Sequence, residues 1–175
     1  AAITAYSGSD IAVRNVEIDG RDPRTGVAVV TSSLMFNRNR RTVVTDTWMH
    51  HIAFGMPSWW ECADIWSERM YLNDVAQAPQ GWSPGINVEN STGDMTFVDP
   101  TLLLGSRVTG NTGKPLNVGG DRGTTGTITI RNPTLDGGAE AGRFGIREYG
   151  IQAPGEVRYT IVTAAGDAVP YDVSR

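Results

Sequence analysis

Two short patterns recur along this chain at a spacing near thirty residues, and that echo restricts the fold more tightly than any other feature. The first, apolar-x-apolar-x-(Asn/Asp/Thr), reads Ile11-x-Val13-x-Asn15, Met70-x-Leu72-x-Asp74, Met95-x-Phe97-x-Asp99, Ile128-x-Ile130-x-Asn132 and Tyr159-x-Ile161-x-Thr163, with a looser Val44-x-Asp46 in the gap. Its polar positions 15, 46, 74, 99, 132 and 163 step by 31, 28, 25, 33 and 31 residues. The second places Gly or Pro before an apolar pair: Gly26-Val27-x-Val29, Gly55-Met56, Gly85-Ile86-x-Val88, Pro115-Leu116-x-Val118, Gly145-Ile146 and Pro170-Tyr171-x-Val173. These steps are 29, 30, 30, 30 and 25. A fixed long period marks a repeat architecture, in which each unit stacks on the next.

Within each unit the apolar period is two, which is the signature of a strand. The strands are short and bounded by Gly, Pro, Asn, Asp and Ser, the residues of turns. A hairpin sandwich gives turn signals every 8–12 residues with no longer echo. Two or three strands inside one thirty-residue unit instead describe a circuit of backbone that pairs with the next circuit. The expected fold is all-β: a parallel β-helix of about six rungs, with residues 1–9 as a lead-in and 10–175 as a single domain. Parallel strands about 4.8 Å apart make this a rod roughly 25–30 Å long. Val13, Val44, Leu72, Phe97, Ile130 and Ile161 are expected to form one inward stack. The polar residue two positions on is expected at a recurrent bend, where Asn or Asp can bond the local backbone.

The paired rulers and the Asn/Asp at a recurring bend resemble the right-handed parallel β-helix of the pectate-lyase-like superfamily, over roughly residues 10–173. That superfamily includes pectate and pectin lyases, polygalacturonases, and the tailspike and tail-fibre proteins of bacteriophages, and its members act on or adhere to long polysaccharides. The resemblance implies architecture and a polysaccharide or cell-surface glycan as partner, since fold alone does not give an activity. The superfamily's acidic Ca²⁺ cluster with an Arg base is not found, nor is its Asn-x-Asp motif beside an Asp pair. Asp46, Asp74 and Asp99 already belong to the bend ladder.

Bulk properties narrow the rest. The 175 residues suffice for one domain with a core. A net charge of −4, with no basic run beside an aromatic platform, argues against nucleic acid as partner. The single cysteine, Cys62, excludes an internal disulfide. No apolar run reaches the length of a membrane span, so membrane insertion is not expected. The chain starts with Ala and stops at Val173-Ser174-Arg175 in mid-rung, so it reads as a segment of a longer polypeptide whose open end is covered from outside. The basic run Asn37-Arg38-Asn39-Arg40-Arg41 reads as a solvated bend, or else as a patch for an acidic glycan or a neighbouring subunit.

Candidate catalytic residues are Asp64, Glu68 and Glu61, near His50, His51 and Arg69. Two carboxylates across a groove can hydrolyse a glycosidic bond, one as acid and one as base or nucleophile. Strand alternation sends Asp64, Trp66 and Glu68 to one face and Arg69 away from it. Adjacent His50-His51 reads as a poor metal pair because neighbours on a strand point opposite ways, so neither metal nor cofactor is expected. All five tryptophans lie between positions 48 and 82. Trp59 and Trp60 cannot both be buried on an extended segment. Trp59, Trp60, Trp66, Trp82 and His51 are the candidates for carbohydrate binding or for a subunit interface.

The leading expectation is a rigid segment of a phage tail fibre, tailspike or similar surface appendage. It would form a homotrimer or larger assembly on the virion surface or outside the cell, presenting an aromatic face to a host glycan or to tail components. An extracellular polysaccharide lyase or glycoside hydrolase is the alternative, and a purely structural spacer is a third.

Overall fold

The computed structural model describes residues 1–30, 32–53, 57–74, 85–103, 114–136, 143–150 and 157–174. Among the described residues there is no helix, hence none long and apolar enough to cross a membrane. In the first sheet, β1 (Ile3–Tyr6), β3 (Leu34–Asn37), β5 (Ser58–Trp60), β7 (Ile86–Glu89), β10 (Leu116–Gly119), β13 (Phe144–Tyr149) and β15 (Tyr171–Ser174) lie side by side in that order. In the second, β2 (Ala12–Asp19), β4 (Arg40–His50), β6 (Ala63–Asn73), β8 (Thr92–Val98), β11 (Gly126–Arg131) and β14 (Val157–Val162) stack likewise. Short strands β9 (Thr101–Leu103) and β12 (Thr134–Asp136) continue the second half of β6 sideways. Every ladder between these strands is parallel. The chain alternates between sheets and each strand pairs with its counterpart one circuit away, which makes the fold a parallel β-solenoid. Four circuits, β3/β4, β5/β6, β7/β8 and β10/β11, have both strands paired on both sides. That is fewer than the six rungs expected, because the outer circuits present open edges.

Register corrects three details of the sequence reading. Val13, Val44, Ser67, Phe97, Ile130 and Ile161 form one column, so Ser67 stands where Leu72 was expected. Leu72 instead stacks with Met49 and Leu102 in the next column along the strand. Residues 3–6, read as part of a lead-in, form β1 and pair with β3. Val27 and Val29, the apolar pair at the first step of the second ruler, are more than half exposed in a loop, and Leu34 and Phe36 fill the corresponding place in the core.

The core is a single apolar column between the sheets, and Trp59 is its largest fully buried side chain. Its indole stacks on Phe36 (centroids 5.6 Å, 15°) and meets Phe97 edge-on (5.5 Å, 75°). Its Nε1 donates to Thr42 Oγ1 at 3.2 Å, so the buried N–H is satisfied.

Each circuit turns at residues with left-handed backbone, and these align in columns. The corner from the first sheet to the second uses two of them three residues apart: Ser7 and Asp10, Arg38 and Arg41, Glu61 and Asp64, Asn90 and Gly93. A further column, Asn15, Asp46, Arg69, Asp99 and Asn132, folds the second sheet midway. The bend ladder was thus foreseen at four of these positions, with Arg69 in place of Asp74. Left-handed backbone suits Gly, Asn and Asp but is uncommon for Arg and Glu. Here the long side chains lie along the column onto an oppositely charged corner: Arg38 Nε to Glu61 at 2.7 Å, Arg41 Nε to Asp10 at 2.7 Å, and Arg69 Nε to Asp46 at 2.6 Å.

Inside the same corner runs a buried polar column of Asn39, Cys62, Ser91 and Thr124. Each side chain reaches a carbonyl on its own circuit and one on the circuit before. For Asn39 these are Asn37 O and Ala5 O, for Cys62 Trp60 O and Phe36 O. For Ser91 they are Glu89 O and Trp59 O, and for Thr124 Gly119 O and Val88 O. The lone cysteine therefore acts as a weak donor in a hydroxyl-like position, and burial pushes its thiol pKa up.

The corner ion pairs predict an acid response. Hydrogen bonds from Arg41 and Arg69 hold the carboxyls of Asp10 and Asp46 below the usual carboxylate range. A depressed carboxylate stabilises the fold above its unfolded value of about 3.9, and the contribution is lost as pH falls through the lower folded value. Thermal melts of Asp46→Asn should therefore lie below wild type at about pH 6, with the two converging toward about pH 2.

Candidate functional site

The outward positions of β4 and β6 carry large aromatic side chains. Alternation buries Ile65, Ser67, Met70 and Leu72 and leaves Trp66 and Tyr71 facing solvent, and on β4 it turns Trp48 outward. Trp48, Trp66 and Tyr71 are 43%, 44% and 38% exposed, high for residues of this size. Trp48 and Tyr71 are register partners whose rings meet edge-on at 6.2 Å. Trp48 Nε1 donates to Asn73 Oδ1 at 2.7 Å, and the indole stacks on the His50 ring at 4.2 Å, so its orientation is set by contacts on two sides. The face bends at the Asp46–Arg69 corner, with Trp66 on one side and the Trp48–Tyr71 pair on the other.

Trp66 heads a column that continues as Thr96, Thr129 and Thr160 on successive strands. The same face ends in a groove of about 500 Å³ lined by Val98, Asp99, Thr129, Arg131, Thr160 and Val162, among others. One side of the rod thus offers aromatic platforms, then a file of hydroxyls, then a groove with an arginine.

The candidate residues fall at separate stations. Glu61 and Asp64 are the two left-handed residues of one corner. Glu61 is held by Arg38 at 2.7 Å and Arg122 at 3.3 Å, while Asp64 is exposed. Glu68 is outward beside Trp66 and ion-pairs with Arg69. Arg69 shares the outer surface with Glu68, contrary to strict alternation, because its left-handed backbone shifts the phase by one residue. Of the tryptophan pair, Trp60 is 43% exposed and Trp59 fully buried. Trp59 is a core residue and touches no solvent. Trp60 stands on the first sheet, between Asn37 and Glu89. Trp82 lies outside the described residues, as do Gly55 and Met56.

The His50-His51 pair departs from the sequence reading. His50 ends β4 and is buried, and His51 turns the chain with φ 53°. That corner rotates the second ring back, and the two Nδ1 atoms come within 2.6 Å. Asp19, at the end of β2, joins them: among the described residues Asp19, His50 and His51 form the one group whose metal-ligating atoms all lie within 4.8 Å. Hydrogen bonds from Arg21 hold the Asp19 carboxyl well below the usual carboxylate range.

Trp48, Tyr71, Glu17 and Asp19 were not singled out from sequence. The signal was available, since Trp48 and Tyr71 lie one short circuit apart at outward positions, but it needs the true register to be read. Comparison with known protein families, with curated proteins and with solved structures gives no match for this chain.

Proposed function

We propose that this chain is a rigid β-solenoid segment of a surface appendage, of the bacteriophage tailspike or tail-fibre kind, that binds an extended glycan along the outer face of β4, β6, β8, β11 and β14. The observation that carries this reading is the exposure of Trp48, Trp66 and Tyr71 on neighbouring outward positions of a stiff sheet. Exposed apolar patches of this kind mark binding surfaces. Flat indole faces stack on sugar rings, and the threonine column and Arg131 offer hydroxyl and cationic partners to the hydroxyls and carboxylates of a polysaccharide. A surface already ordered before binding keeps the entropic cost of association low.

The test is binding of fluorescently labelled acidic and neutral polysaccharides to the purified chain. Trp66→Ala and Trp48→Ala should each weaken binding about tenfold or more, the scale of a central aromatic contact. Trp60→Ala, on the other sheet, should leave it unchanged. If no polysaccharide binds, or if Trp60→Ala alone abolishes assembly in sedimentation, the aromatic residues serve subunit contact instead. New reducing or unsaturated ends that vanish in Glu68→Gln would point to a lyase or hydrolase.

A further inference from the structure

The corner where β2, β4 and β6 end holds two imidazoles and three carboxylates in a defined arrangement. His50 Nδ1 and His51 Nδ1 are 2.6 Å apart, and Asp19 Oδ1 lies 3.4 Å from His51 Nδ1 and 3.9 Å from His50 Nδ1. The outer nitrogens face carboxylates: His50 Nε2 is 3.0 Å from Glu17 Oε1, and His51 Nε2 is 3.7 Å from Asp74 Oδ2. An imidazole that gives its Nε2–H to a carboxylate presents a lone pair at Nδ1. Glu17, within hydrogen-bond reach of His50 Nε2, therefore turns the His50 Nδ1 lone pair inward, and the Asp74 carboxylate 3.7 Å from His51 Nε2 favours the same tautomer of His51 by its charge. Two acceptors at that separation repel unless a cation sits between them. The distance also falls below the range of about 2.7–3.2 Å usual for an N–H donor.

We propose that His50 Nδ1, His51 Nδ1 and Asp19 Oδ1 bind one divalent transition-metal ion of the zinc class. Tetrahedral coordination with bonds of about 2.0–2.2 Å puts neighbouring ligand atoms about 3.3 Å apart, so the three atoms need move only by fractions of an ångström. Imidazole and carboxylate together suit zinc, cobalt and nickel rather than calcium or magnesium. Glu17, hydrogen-bonded to His50 Nε2, supplies the outer-shell carboxylate that orients a metal-bound histidine. Trp48 fixes the His50 ring from its face. Asp19 also borders an open depression of about 440 Å³ lined with Arg21, Asp22, Pro23 and Gly26. The left-handed backbone of His51, a corner residue like others along the coil, is what turns its ring back toward His50. Such an ion ties the end of β2 to the end of β4.

Chelator-stripped protein titrated with Co²⁺ should develop the visible absorption of a four-coordinate site at one ion per chain, and Zn²⁺ should displace it and raise the melting temperature. His50→Gln and Asp19→Asn should abolish the spectrum. His51→Asn keeps a residue that tolerates left-handed backbone, so it should fold and still lose the spectrum. Glu17→Gln should retain the spectrum with affinity lowered about 10–100-fold. Absence of the spectrum in wild type, or its persistence in folded His51→Asn, overturns the proposal and leaves a proton shared between the two rings. The result is independent of glycan binding by Trp66, which lies across the bend.

Discussion

Trp59→Ala should destabilise the protein by about 3–5 kcal/mol in urea unfolding, the range for emptying a large aromatic site in a core. A domain's whole stability is about 5–15 kcal/mol, so the variant should be marginal or unfolded at 37 °C. The reason is placement. Phe36, Trp59 and Val88 are register partners on three successive circuits, and the indole also touches Phe97 from the opposite sheet. The cavity would therefore open in the middle of the rod, between layers held at fixed spacing, where collapse is hard. Trp60→Ala, one residue on, should change stability by no more than about 0.5–1 kcal/mol, as for an ordinary surface position. Equal losses from the two substitutions would contradict the assigned register.

The second large effect is expected at Gly126. Its φ is 111°, and a Cβ there would sit 2.3 Å from the backbone oxygen of Gly93 one circuit below. Backbone strain of this kind costs about 1–3 kcal/mol. The overlap adds about 1–3 kcal/mol more, because the opposing atom is main chain and cannot swing away. Gly126→Val should lose the sum of the two, read as a shifted denaturation midpoint. Gly26→Ala is the control: φ is 69° but nothing lies within 4 Å of its Cβ, so only strain should register.

The solenoid itself was legible because stacking forces equivalent positions to be apolar, and few folds besides a solenoid repeat such positions at a spacing near thirty. What misled was one short circuit. The corner from Arg38 to Glu61 spans 23 residues, whereas Asp10 to Arg41 spans 31 and Asp99 to Asn132 spans 33. At that circuit Ser67 replaces an apolar residue and Arg69 an Asn or Asp, while Met70, Leu72 and Asp74 imitate the pattern five residues later. Ser67 can be buried there because its hydroxyl reaches Met70 Sδ at 4.0 Å. The convergence of the two histidine rings was missed for a related reason. Alternation holds only while the backbone stays extended, and His51 is where it stops. No pattern of residue types announces a left-handed histidine or arginine, so the cluster at the end of β2, β4 and β6 becomes visible only in three dimensions.

The corner columns change character along the axis. Near β3 to β6 they are written in Arg, Glu and Asp, linked from circuit to circuit by ion pairs, and from β8 to the end of β13 they pass to Gly93, Gly120, Gly126 and Gly150. Added salt screens the first kind and leaves the second untouched. The spindle is thus graded: brine should slacken the windings around the aromatic platforms while the glycine-cornered end keeps its pitch, and hydrogen exchange resolved by segment would trace that gradient.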